Sequence, residues 1–114
     1  MHAFCLVRNI LLPFSQEWLK DALKPNGRAL DVGSGSGYLV AAFYEMMDKQ
    51  GKVVGIEHMQ GLVDDSISNL RRNYEKEIDN GDIIVKCGDG RLGYKDFAPY
   101  DAIHVGAGKK LLTS

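Results

Sequence analysis

The chain has 114 residues, 45% of them hydrophobic, and a formal net charge of −1. That length suits one small domain with a real core, and the balanced charge excludes the basic footprint of a nucleic-acid binder and a polybasic membrane patch. No apolar run reaches the roughly 18 residues of a membrane span, and two cysteines without metal-ligand or CxxC spacing, Cys5 and Cys87, read as free thiols of a reducing, cytoplasmic compartment.

In chain order, the apolar stretch from Phe4 to Phe14 carries Arg8 and Asn9 at its middle and lacks a small-residue cleavage site, so it does not read as a signal peptide. Residues 16–23 place Trp18, Leu19 and Leu23 at helical spacing, and Pro25-Asn26-Gly27 stops that helix. The run RALDV reads as a strand. Tyr38 to Asp48 reads as a helix whose buried side holds Leu39, Val40, Ala42, Phe43 and Met46. A second strand spans Lys52 to Glu57. A second helix spans Leu62 to Tyr74, with Leu62, Val63, Ile67 and Leu70 on one face and Asp64 and Asp65 at its solvated start. Asn80-Gly81 marks a turn, IIVKCGD a third strand and DAIHV a fourth. Strands alternating with helices at this spacing predict βαβ units, hence a doubly wound α/β fold with a parallel sheet of about four strands.

The sharpest local signal is LDVGSGSGYL, which joins the first of these strands to the helix after it. Gly33, Gly35 and Gly37 let the backbone approach a ligand closely, and the helix beyond presents unpaired N–H groups. Taken alone, such a loop is also compatible with a plain tight turn. Glu57 ends the next strand, roughly 20 residues on, where a doubly wound sheet places a carboxylate against ribose hydroxyls. A nicotinamide dinucleotide would use the same two features, but its fingerprint is G-x-G-x-x-G. Here the spacing is G-x-G-x-G, preceded by Asp31. A carboxylate there suits a ligand with an ammonium and a sulfonium, which favours S-adenosylmethionine with Asp31 near its cationic end. Asp89 follows the third strand and is either an acceptor for an adenine amino group or a turn residue before Gly90. His104 reads as a packed, hydrogen-bonded histidine rather than a catalytic one, and His58 as structural or surface. Arg91 and Tyr94 either shape the loop near the adenine or are plain loop residues.

The motifs LDVGSGSGYL, VVGIEH, LVDDSISNLR, GDGRLGY and APYDAIHVGA, in this order and spacing, resemble those of protein-L-isoaspartate O-methyltransferases. The resemblance implies a Rossmann-like class I S-adenosylmethionine-dependent methyltransferase fold with a cofactor-binding core over residues 29–107. It implies that Val32, Gly33, Ser34, Gly35 and Ser36, flanked by Asp31 and Gly37, line the methionine and ribose of the cofactor. Glu57 would hold the ribose, and Asp89 and Gly90 would meet the adenine. Met1-His2-Ala3 is similar to the end of the family's active-site segment, which makes His2 the catalytic candidate. The implied reaction transfers a methyl group to the free α-carboxylate of L-isoaspartyl residues in damaged proteins and peptides, after which the ester collapses to a succinimide and hydrolysis partly restores aspartate. No metal, nucleic acid or membrane partner is implied, and full-length relatives would be monomers.

The chain departs from this family at both ends. Residues 1–28 are expected to form an N-terminal helical segment with an insertion at 7–16, and residues 108–114 an irregular tail. Val7-Arg8 and the Gly108-Lys109-Lys110 tail can be encoded by splice-donor-like sequence, and the end of the insertion by a pyrimidine-rich acceptor, so both segments are expected to be translated introns. The chain would then be a shortened form with an open sheet edge beside DAIHV, an unpartnered apolar insertion, a tendency to self-associate and little activity of its own. The alternatives are a cofactor-binding but catalytically incomplete fragment and a nicotinamide-linked oxidoreductase half-domain.

Overall fold

The structure is a computed structural model and describes residues 4–7, 10–13, 21–90 and 94–106. Within them the chain forms β1 (Phe4–Val7), β2 (Ile10–Pro13), β3 (Gly27–Val32), α1 (Tyr38–Met46), β4 (Gly51–Glu57), α2 (Gln60–Asn80), β5 (Ile83–Cys87), a 3-10 turn at Lys95–Phe97 and β6 (Ala102–Val105). These strands make one sheet in the order β2-β1-β6-β3-β4-β5. The strands β6, β3, β4 and β5 are mutually parallel, as the alternation of strands and helices predicts.

Side-chain alternation along the strands divides the core between the two faces of the sheet. One face carries Ala29, Val53, Ile83, Val85 and Ala102, packed under Val40, Phe43 and Tyr44 of α1 and Val63 and Leu70 of α2. The other carries Leu30, Val32, Val54, Ile56 and Val105, covered by Tyr94, Phe97 and Tyr100 from the β5–β6 connection. The chain therefore leaves β3 toward β4 on one side and returns to β6 with its connection covering the other. Direction reverses between β3 and β6, and the crevice beyond their carboxyl ends is the switch point where such sheets bind ligands.

The helices differ from expectation in detail. The buried side of α1 is Val40, Phe43 and Tyr44, continued by Met47 just past its end in an i, i+3, i+4, i+7 set, with Leu39 and Met46 only partly buried. Tyr44 is 2% exposed despite its hydroxyl. Helix α2 runs past the expected end at Tyr74, where helical geometry breaks locally (φ −132°, ψ 32°), and stops at Gly81, whose φ of 88° closes it. Leu70, Tyr74 and Ile78 carry the same apolar face onward at intervals of one turn, and Tyr74 and Ile78 pack against the core.

Three expectations fail at the amino end. The segment expected to be helical contains strands β1 and β2, and only Asp21 and Ala22 are helical among its described residues. The edge beside DAIHV is not open: β1 pairs antiparallel with β6, setting Phe4 opposite Val105 and Val7 opposite Ala102. The apolar insertion has a partner as well, since β2 pairs with β1 from Ile10 opposite Val7 to Pro13 opposite Phe4. The cause is the edge itself. A row of unpaired N–H and C=O groups on β6 is a template that a short apolar strand satisfies, and Pro13 is tolerated because β2 is now the outermost strand. The expected tail at 108–114 and the residues Trp18 and Leu19 lie outside the described residues.

Candidate functional site

The carboxyl ends of the four parallel strands are tied to one another through the loops that follow them. Gly33 and Ser34 donate their amides to the carbonyl of Ile56 at 2.7 and 3.2 Å. Gly88 donates to the carbonyl of Glu57 at 3.0 Å, and Gly106 to that of Val32 at 3.1 Å. The loops after β3, β4, β5 and β6 thus form one connected rim around the switch point.

The glycines of the loop after β3 have separate tasks. Gly33, Gly35 and Gly37 all take positive φ, 79°, 55° and 89°, a region open to glycine at little cost. A Cβ added at Gly35 would meet nothing within 4 Å, so this residue faces open space. A Cβ at Gly37 would lie 3.1 Å from Leu70 Cδ1 and 3.3 Å from Ser66 Cβ, so Gly37 lets the start of α1 pack onto α2. Gly37 also donates its amide to the Ser34 carbonyl at 2.9 Å, which closes the turn.

Glu57 holds this loop. Its Oε1 accepts the Gly35 amide at 3.0 Å and its Oε2 the His58 amide at 3.0 Å. The exposed His58 ring turns back so that Nδ1 lies 2.9 Å from Oε2. Glu57 is 1% exposed. Asp31 is also 1% exposed and sits in register between Gly55 of β4 and His104 of β6. Its Oδ1 lies 2.8 Å from His104 Nδ1. Burial pushes the Asp31 carboxyl above the ordinary carboxylate value, and the His104 contact works in the opposite direction.

Of the residues named from the sequence, Asp31, Val32, Gly33, Ser34, Gly35, Ser36, Gly37 and Glu57 come together at this rim. Ser36 is exposed and Ser34 buried. Asp89 is exposed beyond β5, and Gly90 presses so closely on β3 that an added Cβ would lie 2.3 Å from Val32 Cγ1. His104 is buried and hydrogen-bonded as expected, with Asp31 as the partner that the sequence did not name. His2 and Arg91 lie outside the described residues.

Three features escaped the sequence reading. Gly55 is needed where Ser34 folds over β4, because an added Cβ would stand 2.9 Å from both Ser34 Cβ and Val40 Cγ2. An isolated glycine inside the apolar strand KVVGIE was the available signal. Ser34 Oγ is buried without a hydrogen-bond partner among the described residues. Among the described residues, Tyr38 and Met59, 73% and 53% exposed, are the large apolar side chains left in solvent, each one or two residues beyond Gly37 or Glu57. Among the described residues no three His, Cys, Asp or Glu side chains are grouped to hold a metal, and no helix is long and apolar enough to cross a membrane.

The sheet order, the glycine rim and the acidic residue ending β4 define the core of a class I S-adenosylmethionine-dependent methyltransferase. Solved structures agree. A protein described as a protein-L-isoaspartate O-methyltransferase from Plasmodium falciparum, in complex with S-adenosyl-L-homocysteine, superposes with a TM-score of 0.62 at 27% identity, over 75% of this chain and 44% of its own. A second protein-L-isoaspartate O-methyltransferase gives 0.63 at 28% identity, over 89% and 33%. The model of the protein-L-isoaspartate(D-aspartate) O-methyltransferase family matches residues 8–112, and the chain belongs to that family. It is 49% identical to a protein-L-isoaspartate O-methyltransferase of Triticum aestivum over 108 residues, 94% of this chain and 43% of that one. It is 47% identical to one of Caenorhabditis elegans over 94 residues, 82% and 42%. It is 46% identical to Protein-L-isoaspartate O-methyltransferase 2 of Arabidopsis thaliana over 108 residues, 94% and 32%. The chain thus spans less than half the length of these relatives.

Proposed function

We propose that this chain provides the S-adenosylmethionine-binding half of a site that methylates the free carboxylate of L-isoaspartyl residues in damaged proteins and peptides. The observation that carries this reading is the bond from Gly35 to Glu57, which sets a carboxylate against an open glycine loop at the switch point of the sheet. The residues fit the cofactor. Glu57 is an acceptor for paired ribose hydroxyls, Asp31 a negative group for a cationic methionine end, and Ser34 Oγ a buried polar atom with hydrogen-bonding capacity to spare. Asp89, exposed beside Gly90, is the acceptor for the adenine amino group. His2 remains the catalytic candidate by resemblance.

When bound, the cofactor supplies an electrophilic methyl group on a sulfonium. The acceptor is a carboxylate, already ionised at neutral pH, so the protein need not furnish a strong base. Its work is to orient both partners in line and to exclude water. Each carboxylate oxygen of Glu57 can accept more than one donor, so ribose hydroxyls would bind beside the Gly35 and His58 amides rather than in their place. Tyr38 and Met59, exposed one residue after Gly37 and two after Glu57, are the candidates for an apolar border to the nucleoside. A cytoplasmic setting agrees with the free Cys87 thiol.

The experiment is a radiolabelled methyl-transfer assay on an isoaspartyl peptide, with the aspartyl form of the same peptide as control and S-adenosylhomocysteine binding measured alongside. Label in the isoaspartyl peptide alone is expected. Binding without any transfer reduces the chain to a cofactor module, and equal labelling of both peptides overturns the substrate assignment.

A further inference from the structure

His104 stands opposite Asp31 in the register of β3 and β6, and the two side chains are 5% and 1% exposed. Phe43 of α1 closes on the His104 ring edge-on, with centroids 6.2 Å apart. On the other side of Asp31 the register partner is Gly55, which has no side chain, and Ser34 and Val40 fill the space above it. Among the described residues, the carboxylate is therefore gripped from one side only, by a single ring nitrogen 2.8 Å away. Asp31 lies two residues before Gly33, at the root of the loop that faces the cofactor site. A buried carboxylate left alone would favour its neutral form. The ionisable groups acting on Asp31 among the described residues are His104 from β6, which opposes that tendency, and Glu57 from β4, which adds to it. Helix α1 presents Phe43 to this face and α2 presents Ser66 and Leu70 near the loop, none of them charged.

We propose that His104 is a positioning residue for the cofactor: its Nδ1–H donates to Asp31 Oδ1 and thereby fixes both the orientation and the negative charge that Asp31 offers to the cofactor's cationic end. The proposal rests on the reading of Asp31 as the contact for that end. In this role the ring acts through Asp31 and moves no proton during transfer, which separates His104 from the catalytic histidines of other enzymes. It also accounts for a histidine in the core of a sheet, where an aliphatic residue would pack as well and leave the carboxylate unpaired.

Two measurements test it. The first is the ring nitrogen spectrum of His104 in the ligand-free protein. Nδ1 is expected to carry a proton at neutral pH, and a bare Nδ1 accepting from a protonated Asp31 overturns the proposal whether or not any variant folds. The second is S-adenosylhomocysteine affinity across pH 6–9 for the wild type, His104→Asn and His104→Leu. The asparagine amide can donate in place of Nδ1–H and should keep affinity within about threefold. The leucine variant should lose about tenfold near neutral pH, the size of one hydrogen bond to a charged group, and recover part of it as pH rises and Asp31 ionises. Equal losses in both variants, or a leucine profile parallel to that of the wild type, reduce His104 to packing and overturn the proposal. Absence of binding by the wild type at every pH is a different failure, because it removes the functional reading itself while the ring spectrum still reports the Asp31–His104 pair.

Discussion

Gly35 and Glu57 are joined by a 3.0 Å hydrogen bond from the loop amide to the carboxylate, so the residue best placed to bind a ribose is also the residue that shapes the loop around it. Binding and loop order are coupled through one side chain. This coupling makes substitutions at Glu57 act on both.

Replacing Glu57 with alanine is expected to weaken S-adenosylhomocysteine binding by roughly 1.5–3 kcal/mol, the range for hydrogen bonds to a charged group. Glu57→Gln should lose less. Amide exchange at Gly35 should accelerate in the alanine variant even without ligand. Calorimetry showing unchanged affinity in the alanine variant would remove Glu57 from the ribose site, and unchanged exchange would remove it from the loop.

Gly35→Val should abolish cofactor binding while leaving most of the sheet intact. No atom stands within 4 Å of the added Cβ, so the structural cost is confined to the φ of 55°, on the order of 1–2 kcal/mol for an L-residue held in the left-handed region. The branched side chain then occupies the space that faces the ligand. Circular dichroism and a ligand titration check the two halves of this statement, and normal binding would show that the loop is only a turn.

Gly55→Ala probes the support beneath the loop. The added methyl would stand 2.9 Å from Ser34 Cβ and Val40 Cγ2, an overpacking that costs typically 1–3 kcal/mol. Because Ser34 cannot keep its place, ligand affinity should fall together with the melting temperature. A variant with wild-type stability would mean that the rim has more room than this packing implies.

Asp31→Asn should separate stability from function. Burial holds the Asp31 carboxyl above its ordinary value, so the native state binds the proton more tightly than the unfolded chain does. Stability is then lost as pH rises from the ordinary carboxylate value through the raised one, so the buried carboxyl costs the fold more at neutral pH than in acid. The asparagine carbonyl still accepts from His104 without the buried charge. The variant is expected to be more stable by about 1 kcal/mol at pH 7, with the advantage shrinking as pH falls through the raised value toward 4. Its affinity for S-adenosylhomocysteine should fall about tenfold, since the neutral amide cannot pair with an ammonium. Denaturant titrations at the two pH values check the sign.

Most of the parallel core was legible because its signals are local. The glycine triplet, the carboxylate ending KVVGIE and the alternation of apolar runs and amphipathic helices each follow from a few consecutive residues. The features that escaped depend on neighbours distant in sequence. Asp31 and His104 meet only when β6 lies beside β3, and Ser34 meets Gly55 only when the loop folds across β4. The hairpin of β1 and β2 was misjudged because its apolar residues were weighed without the β6 edge that they satisfy. Tyr44 is absent from the expected buried side of α1, yet its place at i+4 from Val40 puts it in the core. The end of α2 was read six residues short because the charged run after Tyr74 obscured Ile78, which continues the buried stripe.

Calorimetric titration of the purified 114-residue chain with S-adenosylhomocysteine, and separately with NAD, tests the central claim most directly. One saturable site for S-adenosylhomocysteine, lost in Gly35→Val, with no measurable heat from NAD, is the predicted result. A chain that is folded by circular dichroism yet takes up NAD in preference, or leaves S-adenosylhomocysteine unbound, would contradict it.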